Sequence, residues 1–311
     1  MRVFITGATG WIGTAVVKEL IAAGHEVSGL TRSQANADAL TKAGGTPILG
    51  SITDLNVLRS SAAQADGLIH TAFGLDMSKI VEMSAEDRQA IETIADVFMG
   101  SDRPFIVAGG IGIYPRGEVF TEEMSIGPVV PAFPRATEQT TMAMAERGVR
   151  ATVVRLPRSV HGIGERHGFI PQLASLAREK GVSAYVEDGE NLWPSVHRLD
   201  AARVFRLALE HGAQGGPFHA VAEEGIPYRQ IAEAIGRQLQ LPVISMSQDE
   251  ASAHFGMMAM FIAGNGPASS KRTRERLGWV PQQPGLLADI SQPEYFAQEA
   301  VGADIFSGRQ R

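Results

Sequence analysis

The sequence contains no cysteine among its 311 residues. Disulfide bonds, a thiolate nucleophile and cysteine-ligated zinc are therefore excluded. The eight histidines offer no substitute, because His161 and His167 stand six apart among glycines and no histidine pairs with carboxylates at a metal-binding spacing. We predict that the protein binds no metal.

Positive charge and long apolar runs are also scarce. The 28 lysines and arginines are outnumbered by 34 aspartates and glutamates, which gives a net charge of −6. This balance argues against a nucleic-acid partner, which would need clustered basic residues. No apolar run reaches the roughly 18 residues that cross a bilayer. We expect a cytoplasmic protein without a membrane partner, and a homodimer is left open.

The chain opens with an apolar run, Val3 to Ile5, that leads into three glycines spaced three residues apart. Gly7 allows a tight turn, Gly10 lets the backbone approach a pyrophosphate, and Gly13 allows a helix to pack closely on the strand. A helical apolar pattern and a second strand follow. This order predicts a dinucleotide-binding βαβ unit, with the phosphates at the unpaired amides of the helix start.

The end of the second strand indicates which dinucleotide binds. NAD favours a carboxylate there, which bonds the ribose hydroxyls, whereas an adenosine 2′-phosphate needs positive charge. The chain has Thr31, Arg32 and Ser33 at this place. Arg32 can stack on adenine and pair with the phosphate, and the two hydroxyls add donors. We therefore predict NADP(H) as the cofactor; the alternative is that Arg32 is a solvated arginine.

Strand and helix patterns alternate along the chain, and apolar runs such as Phe105 to Ala108 are continuous. Continuous runs are typical of strands that are covered on both faces, and therefore of a parallel sheet. We expect an α/β fold, a Rossmann-type doubly wound parallel sheet with helices on both faces and a small C-terminal substrate lobe. The expected strands are 26–30, 46–50, 67–71, 104–108 and 151–156, and the expected helices are 54–65, 85–99, 136–147, 169–180, 200–210 and 228–239. Asp54 and Asp200 are interpreted as helix N-caps, so Asp200 is not read as an acid–base partner of His197.

The domain organisation follows from these patterns. Residues 1–158 are expected to form the NADP(H)-binding domain, which also receives residues 190–222. The smaller substrate lobe is expected to comprise residues 159–189 and 223–295, and residues 296–311 form a loosely held tail. The long connection after the fifth strand is rich in proline and starts at a carboxyl end, so we expect it to be functional.

Further motifs occur in a recognisable order. Arg155 to Gly162 reads RLPRSVHG, Val196 to Asp200 reads VHRLD, and Leu277 to Pro281 reads LGWVP. Together with the glycine turn and the turns after the third and fourth strands, they resemble the extended and atypical short-chain dehydrogenase/reductase superfamily, which is epimerase/dehydratase-like, over roughly residues 1–290.

The glycine turn, the end of the second strand and this resemblance imply a set of cofactor contacts at successive strand ends. They are Gly7, Thr9, Gly10, Trp11, Ile12, Gly13, Thr31, Arg32, Ser33, Ser51, Ile52, Thr71, Ala72, Phe73, Gly109, Pro157, Ser159 and Val160. The last three lie in the segment that is similar to the superfamily's stretch at the nicotinamide end.

The usual catalytic residues of the superfamily are missing. Its members protonate a carbonyl oxygen with a tyrosine, which a lysine four residues later and a serine assist. Aligned on Glu138, this chain has Val130 and Pro134 at the tyrosine and lysine positions, and Gly110 replaces the serine. No Tyr-x-x-x-Lys occurs anywhere in the sequence.

Three other residues are candidates for catalysis. Tyr114 and His161 are expected near the nicotinamide end, and both a phenol and an imidazole can donate a proton at neutral pH. Each can also be a packed structural residue. Arg135 opens the helix after the proline-rich loop, where it can bind a substrate carboxylate or a cofactor phosphate, or can be a surface arginine.

These features predict an NADPH-dependent oxidoreductase that transfers hydride to a small, rather apolar carbonyl or related unsaturated substrate. The apolar preference comes from aromatic and methionine side chains that suit an adaptable pocket or a core: Phe73, Met77, Trp193, Phe255, Met257, Met258, Met260 and Phe261. Two alternatives stay open. One is a non-catalytic NADP(H) sensor, and the other is a nucleotide-sugar epimerase or dehydratase, against which the missing tyrosine and lysine argue.

Overall fold

The computed structural model describes residues 1–74, 76–112, 117–130, 134–213 and 215–297. The strands are β1 (Arg2–Thr6), β2 (Glu26–Thr31), β3 (Thr46–Leu49), β4 (Gly67–His70), β5 (Phe105–Gly110), β6 (Ala151–Leu156), β7 (Ser159–His161), β8 (Ser183–Val186), β9 (Leu192–His197), β10 (Phe218–His219), β11 (Glu223–Pro227) and β12 (Val243–Met246). The helices are α1 (Trp11–Ala22), α2 (Gln34–Lys42), α3 (Leu55–Gln64), α4 (Ile80–Phe98), α5 (Thr137–Glu146), α6 (Phe169–Lys180), α7 (Arg198–Leu207), α8 (Tyr228–Leu239), α9 (Gln248–Phe255), α10 (Ala259–Ala263), α11 (Lys271–Leu277) and α12 (Leu286–Ile290).

Seven strands form one parallel sheet in the order β10, β6, β5, β4, β1, β2, β3. Alternate residues of β1 face opposite layers. Val3 and Ile5 pack in one core with α1 and α7, whereas Phe4 packs in another with α3 and α4. The sheet is therefore covered on both faces, which explains its continuous apolar strands and confirms the predicted doubly wound fold. The order reverses between β1 and β4, where such sheets bind their ligands.

A buried ion pair ties the last long strand to the helix before it. Arg155 of β6 donates from Nε to Glu138 Oε2 at 2.9 Å and from Nη2 to Oε1 at 2.6 Å, and both side chains are buried. The two-pronged contact fixes the position of α5 on the sheet. It thereby also sets where the start of α5 lies.

A second core lies beyond the main sheet. It joins β8, β9 and β11 with α6, α8, α9, α10 and α12. Trp193, Phe255 and Met258 are buried in this core, so they do not line an open substrate pocket. Met260 is exposed, and the side chains of Met77 and Met257 lie outside the described part of the chain. Among the described residues, no helix combines the length and apolar character that crossing a membrane requires.

Several local predictions need correction. Helix α2 was not expected, because only Ala37 and Leu40 of its short apolar stripe are buried. Helix α4 begins at Ile80 rather than at residue 85, since its first turns bury Met83 and Ser84.

Neither of the two aspartates predicted as helix N-caps makes a capping hydrogen bond. Asp54 stands at the N-cap of α3 but accepts from the backbone of Ser51 at 2.7 Å, not from the helix. The N-cap of α7 is His197, whose Nδ1 accepts from Leu199 N. Asp200 instead accepts from the backbone of Gln282 and Gln283, at 3.0 and 2.9 Å.

We predict that Asp200→Asn lowers the free energy of unfolding by about 1–2 kcal/mol, because one amide oxygen replaces a carboxylate that accepts hydrogen bonds from two partly buried backbone N–H groups. Urea denaturation measures this change, with exposed Leu199→Ala as a near-neutral control. An N-cap role predicts no change, since asparagine caps as well as aspartate.

Candidate active site

The turn after β1 and the start of α1 lie in unusually close contact. A Cβ on Gly13 would stand 1.9 Å from Gly7 O, and one on Gly7 would stand 2.7 Å from Ala72 N. Gly7 also has a φ of +72°, which favours glycine. Gly10 is exposed, and a Cβ there would meet only Gly7 O, at 3.2 Å. The turn therefore keeps an open backbone face toward the carboxyl edge of the sheet.

The start of α1 carries no side-chain cap, although Gly10 stands at its N-cap. The first amides of a helix have no partner within the helix, and they attract anions together with the helix dipole. The backbone at Trp11 and Ile12 thus fits a dinucleotide pyrophosphate.

The end of β2 presents Arg32 and Ser33, both exposed. Ser33 accepts from Asn36 N as the N-cap of α2, and its hydroxyl proton stays available. Thr31 is buried, and its hydroxyl faces Ile48 O at 3.5 Å, so its side chain adds no donor for a ligand. Gly50 N donates to Thr31 O, which holds the turn after β3 beside the end of β2.

The turns after β3 and β4 complete this edge. Ser51 and Ile52 are partly buried, and Ser51 Oγ bonds Thr53 Oγ1 at 2.5 Å. Thr71 donates from Oγ1 to Thr6 O at 2.9 Å, which brings it and Ala72 against the glycine turn.

Trp11 connects the glycine turn to the segment after β6. Its Nε1 donates to Val160 O at 2.7 Å, and the guanidinium of Arg198 lies 4.0 Å from its ring centre. Pro157 and Ser159 are buried, as is Gly109 at the end of β5. The structure thus brings the sequence-predicted cofactor residues to one edge of the sheet.

The candidates for catalysis lie in different surroundings. Tyr114 lies outside the described residues. Arg135 donates from Nη2 to Ala108 O at 3.3 Å, and its guanidinium lies 3.8 Å from the ring centre of Phe73. Arg135 therefore stands at the carboxyl ends of β4 and β5, partly buried.

A chain of buried polar side chains supports Arg135. Its Nε donates to Thr137 Oγ1 at 2.8 Å, and Thr137 donates to Asp87. Asp87 bonds His70 Nε2 at 3.0 Å, and His70 Nδ1 bonds Thr6 Oγ1 at 2.7 Å. Sequence analysis missed this chain, because its members come from β1, β4, α4 and α5 and show no shared spacing.

The charged groups of this hydrogen-bonded series affect one another's pKa values. Burial acts to raise the pKa of Asp87, but the His70 hydrogen bond and the charges of His70 and Arg135 hold it below its usual value. Burial lowers the pKa of Arg135, and Asp87 opposes that shift. Arginine stays protonated in proteins, so Arg135 places a fixed positive charge at the sheet edge, at one end of this hydrogen-bonded series.

His161 belongs to a separate buried cluster. Its Nδ1 bonds Asp289 Oδ2 at 2.7 Å, and its ring centre lies 5.5 Å from that of His197. Its Nε2 is buried and has no hydrogen-bond partner among the described residues. Tyr295 donates to Glu165 in the same cluster, and burial together with Asp289 raises the pKa of Glu165 to about 8.

The fold and this edge define a Rossmann-type dinucleotide-binding enzyme. A model of the NAD dependent epimerase/dehydratase family matches residues 3–221, and the chain belongs to that family.

Two relatives in sequence and one solved structure with the same fold are examples of similar proteins. The chain is 46% identical to uncharacterized protein C2A9.02 of Schizosaccharomyces pombe, over 95% of this chain and all of that protein. It is 26% identical to sterol-4-alpha-carboxylate 3-dehydrogenase, decarboxylating, of Dictyostelium discoideum, over 74% of each. The structure of the dTDP-glucose 4,6-dehydratase DesIV from Streptomyces venezuelae, with NAD bound, has a TM-score of 0.74 at 18% identity and covers 95% of this chain and 96% of that one.

We predict that alanine at the two glycines separates binding from folding. Gly10→Ala should lower the melting temperature much less than Gly13→Ala, since its Cβ would stand 3.2 Å rather than 1.9 Å from Gly7 O, but should weaken dinucleotide binding at least about tenfold, because the new methyl group lies where the pyrophosphate approaches. Gly13→Ala should destabilise the fold by more than about 2 kcal/mol, because its Cβ would overlap Gly7 O. Calorimetry and thermal unfolding measure the two effects. Unimpaired dinucleotide binding by a folded Gly10→Ala variant would contradict this assignment.

A second prediction concerns pH. The ordinary pKa of Glu165 is 4.5, so between 4.5 and about 8 the folded protein keeps a proton that the unfolded chain releases. Glu165 therefore makes stability fall as pH rises through that window. Glu165→Gln should remove this contribution. In urea titrations, the free energy of unfolding of the variant should therefore increase relative to that of the wild type from pH 5 to pH 8. A constant difference between the two proteins would refute the raised pKa.

Proposed function

We propose that the chain is a cytoplasmic NADPH-dependent oxidoreductase that reduces a small, rather apolar carbonyl or related unsaturated substrate. The observation that carries the proposal is the open glycine turn with an exposed arginine, Arg32, in place of a carboxylate at the end of β2. Residues 159–189 and 223–295 would form the substrate lobe.

The residues at the sheet edge fit the cofactor. The amides at the start of α1 would hold the pyrophosphate, and Arg32 with Ser33 would hold the adenosine 2′-phosphate. NADPH bound there would supply the hydride. Arg135 would stabilise the negative charge that develops on the carbonyl oxygen, since its charge is fixed in place by Thr137 and Asp87.

The proton donor is assigned to Tyr114 or His161, as the sequence suggests. His161 would donate through Nε2, because Asp289 holds Nδ1. Its burial requires a local rearrangement or a relayed proton before Nε2 can serve the substrate. Tyr114 follows β5, close in sequence to the open Gly110.

The family and its relatives support an enzyme. The Dictyostelium relative is named a dehydrogenase, and the Streptomyces structure carries NAD, although its low identity supports only the fold. A sensor would bind NADPH without oxidising it. The epimerase or dehydratase alternative is disfavoured, because this chain lacks the tyrosine and lysine on which those enzymes of the superfamily depend.

We predict that Arg32→Ala weakens NADPH binding about 10- to 100-fold and NADH binding far less, because both coenzymes lose the stacking on adenine but only NADPH loses a charge-assisted contact to the 2′-phosphate. Calorimetry with both coenzymes measures this. Arg59→Ala, at another exposed arginine, is the control. Equal losses for NADPH and NADH would show that Arg32 does not read the phosphate.

Turnover tests the function itself. A screen of aldehydes, ketones and imines, followed by NADPH absorbance, should find a substrate. Arg135→Ala should then lower kcat about 100-fold at unchanged NADPH affinity. Tyr114→Phe and His161→Ala should differ, with the larger loss at the proton donor. NADPH that binds tightly but is never oxidised would favour the sensor, and full activity in all three variants would overturn the residue assignments.

A further inference from the structure

Arg158 is a charged residue that the proposed function leaves unused. It follows Pro157 at the carboxyl end of β6, and its Nη1 donates to Phe261 O at 3.2 Å and Gly264 O at 2.9 Å. The side chain thus reaches from the main sheet to the second core.

The guanidinium has no anionic partner in the part of the chain that the structure describes. Burial lowers the pKa of Arg158 to about 10, and no neighbouring carboxylate offsets that effect. The group stays protonated at neutral pH. Nη1 is committed to the two carbonyls, whereas Nη2 is buried and makes no hydrogen bond to the described residues. An unpaired charge at such a place is costly, and an anion that bonds it would remove the cost.

Aromatic rings line the same place. The Arg158 guanidinium lies 5.3 Å from the ring centre of Trp193, whose Nε1 is also buried without a partner among the described residues. The ring of Phe169 lies 5.4 Å from Trp193 and 5.3 Å from Phe261. Phe169 and Phe261 are partly exposed and pack on or near the fully buried Trp193, so the aromatic surface beside Arg158 consists of these two phenylalanines.

A glycine links this place to the active-site edge. A Cβ on Gly266 would stand 2.5 Å from Arg158 Nη2 and 3.1 Å from Gly112 O. Gly112 follows β5, next to the strand end that Arg135 contacts. Arg158 thus lies between the sheet edge and the second core, and it is only partly buried as a whole.

We propose that Arg158 binds a carboxylate of the substrate, so that the substrate is an apolar or aromatic carbonyl compound that carries an acid group. A carboxylate would supply the hydrogen-bond acceptor that the buried Nη2 lacks, and the partly exposed rings of Phe169 and Phe261 would contact the apolar body. The carbonyl group of this substrate rests on the proposed function, whereas the carboxylate is inferred from Arg158 alone.

The first experiment compares 4-carboxybenzaldehyde with its methyl ester in the NADPH oxidation assay. The wild type should favour the acid in kcat/KM by at least about tenfold. Arg158→Gln keeps an amide donor for the two carbonyls and should abolish the preference at unchanged NADPH affinity. Arg158→Lys should retain part of the preference, because lysine keeps the positive charge but cannot form the two parallel hydrogen bonds of a guanidinium. Arg237→Gln, at an exposed arginine on α8, should match the wild type.

The second experiment needs no turnover. Calorimetry should detect binding of 4-methylbenzoate to the wild type, with and without NADP⁺, and no binding of 4-methylbenzamide. Arg158→Gln should lose the benzoate signal. If no carbonyl is reduced but benzoate binding depends on Arg158, the reductase proposal fails and the carboxylate site stands. If the acid and ester are reduced equally, or benzoate binds Arg158→Gln as well as the wild type, the site is refuted.

Discussion

The closeness of α1 to the turn after β1 is the constraint on which the rest of the site depends. The backbone of Gly13 reaches Gly7 O so closely that no Cβ fits between them. This contact directs the uncapped start of α1 toward the carboxyl edge of the sheet. It also places Trp11 where its indole bonds Val160, so one side chain joins the glycine turn to the segment after β6.

Fixed charge is the second organising element. Glu138 and Arg155 set α5 on the sheet, and the start of α5 then brings Thr137 and Arg135 to Asp87. These contacts leave one arginine at the strand ends with its position determined by four elements. A chain that lacks the tyrosine and lysine of its superfamily can in this way still present a preorganised positive charge.

The fold could be predicted from the sequence because its signals are local and repeated. The glycine turn, the continuous apolar strands and the helical periods each depend on neighbours a few residues apart, and α6 and α8 were located to the residue. The corrected features depend on distant partners. The carboxylate of Asp200 bonds backbone more than 80 residues away, which no cap preference can reveal.

The site residues likewise fall into those that the sequence predicts and those that only the structure reveals. The residues of the glycine turn follow from spacing, whereas the bonds of His70 to Asp87 and of Arg158 to the second core arise only when separate elements pack. The burial of Thr31, Trp193 and His161 likewise depends on what packs over them. An inward or outward orientation at a strand end could not be read from the residue type alone.

Deuteride transfer from NADPH tests whether the protein reduces a carbonyl group. NADPH that carries deuterium at both C4 positions of the nicotinamide would be incubated with the protein and a carbonyl substrate, and the product would be analysed by mass spectrometry and NMR. We expect one deuterium at the former carbonyl carbon, on a single face. Tight NADPH binding with no labelled product from any carbonyl compound would contradict it.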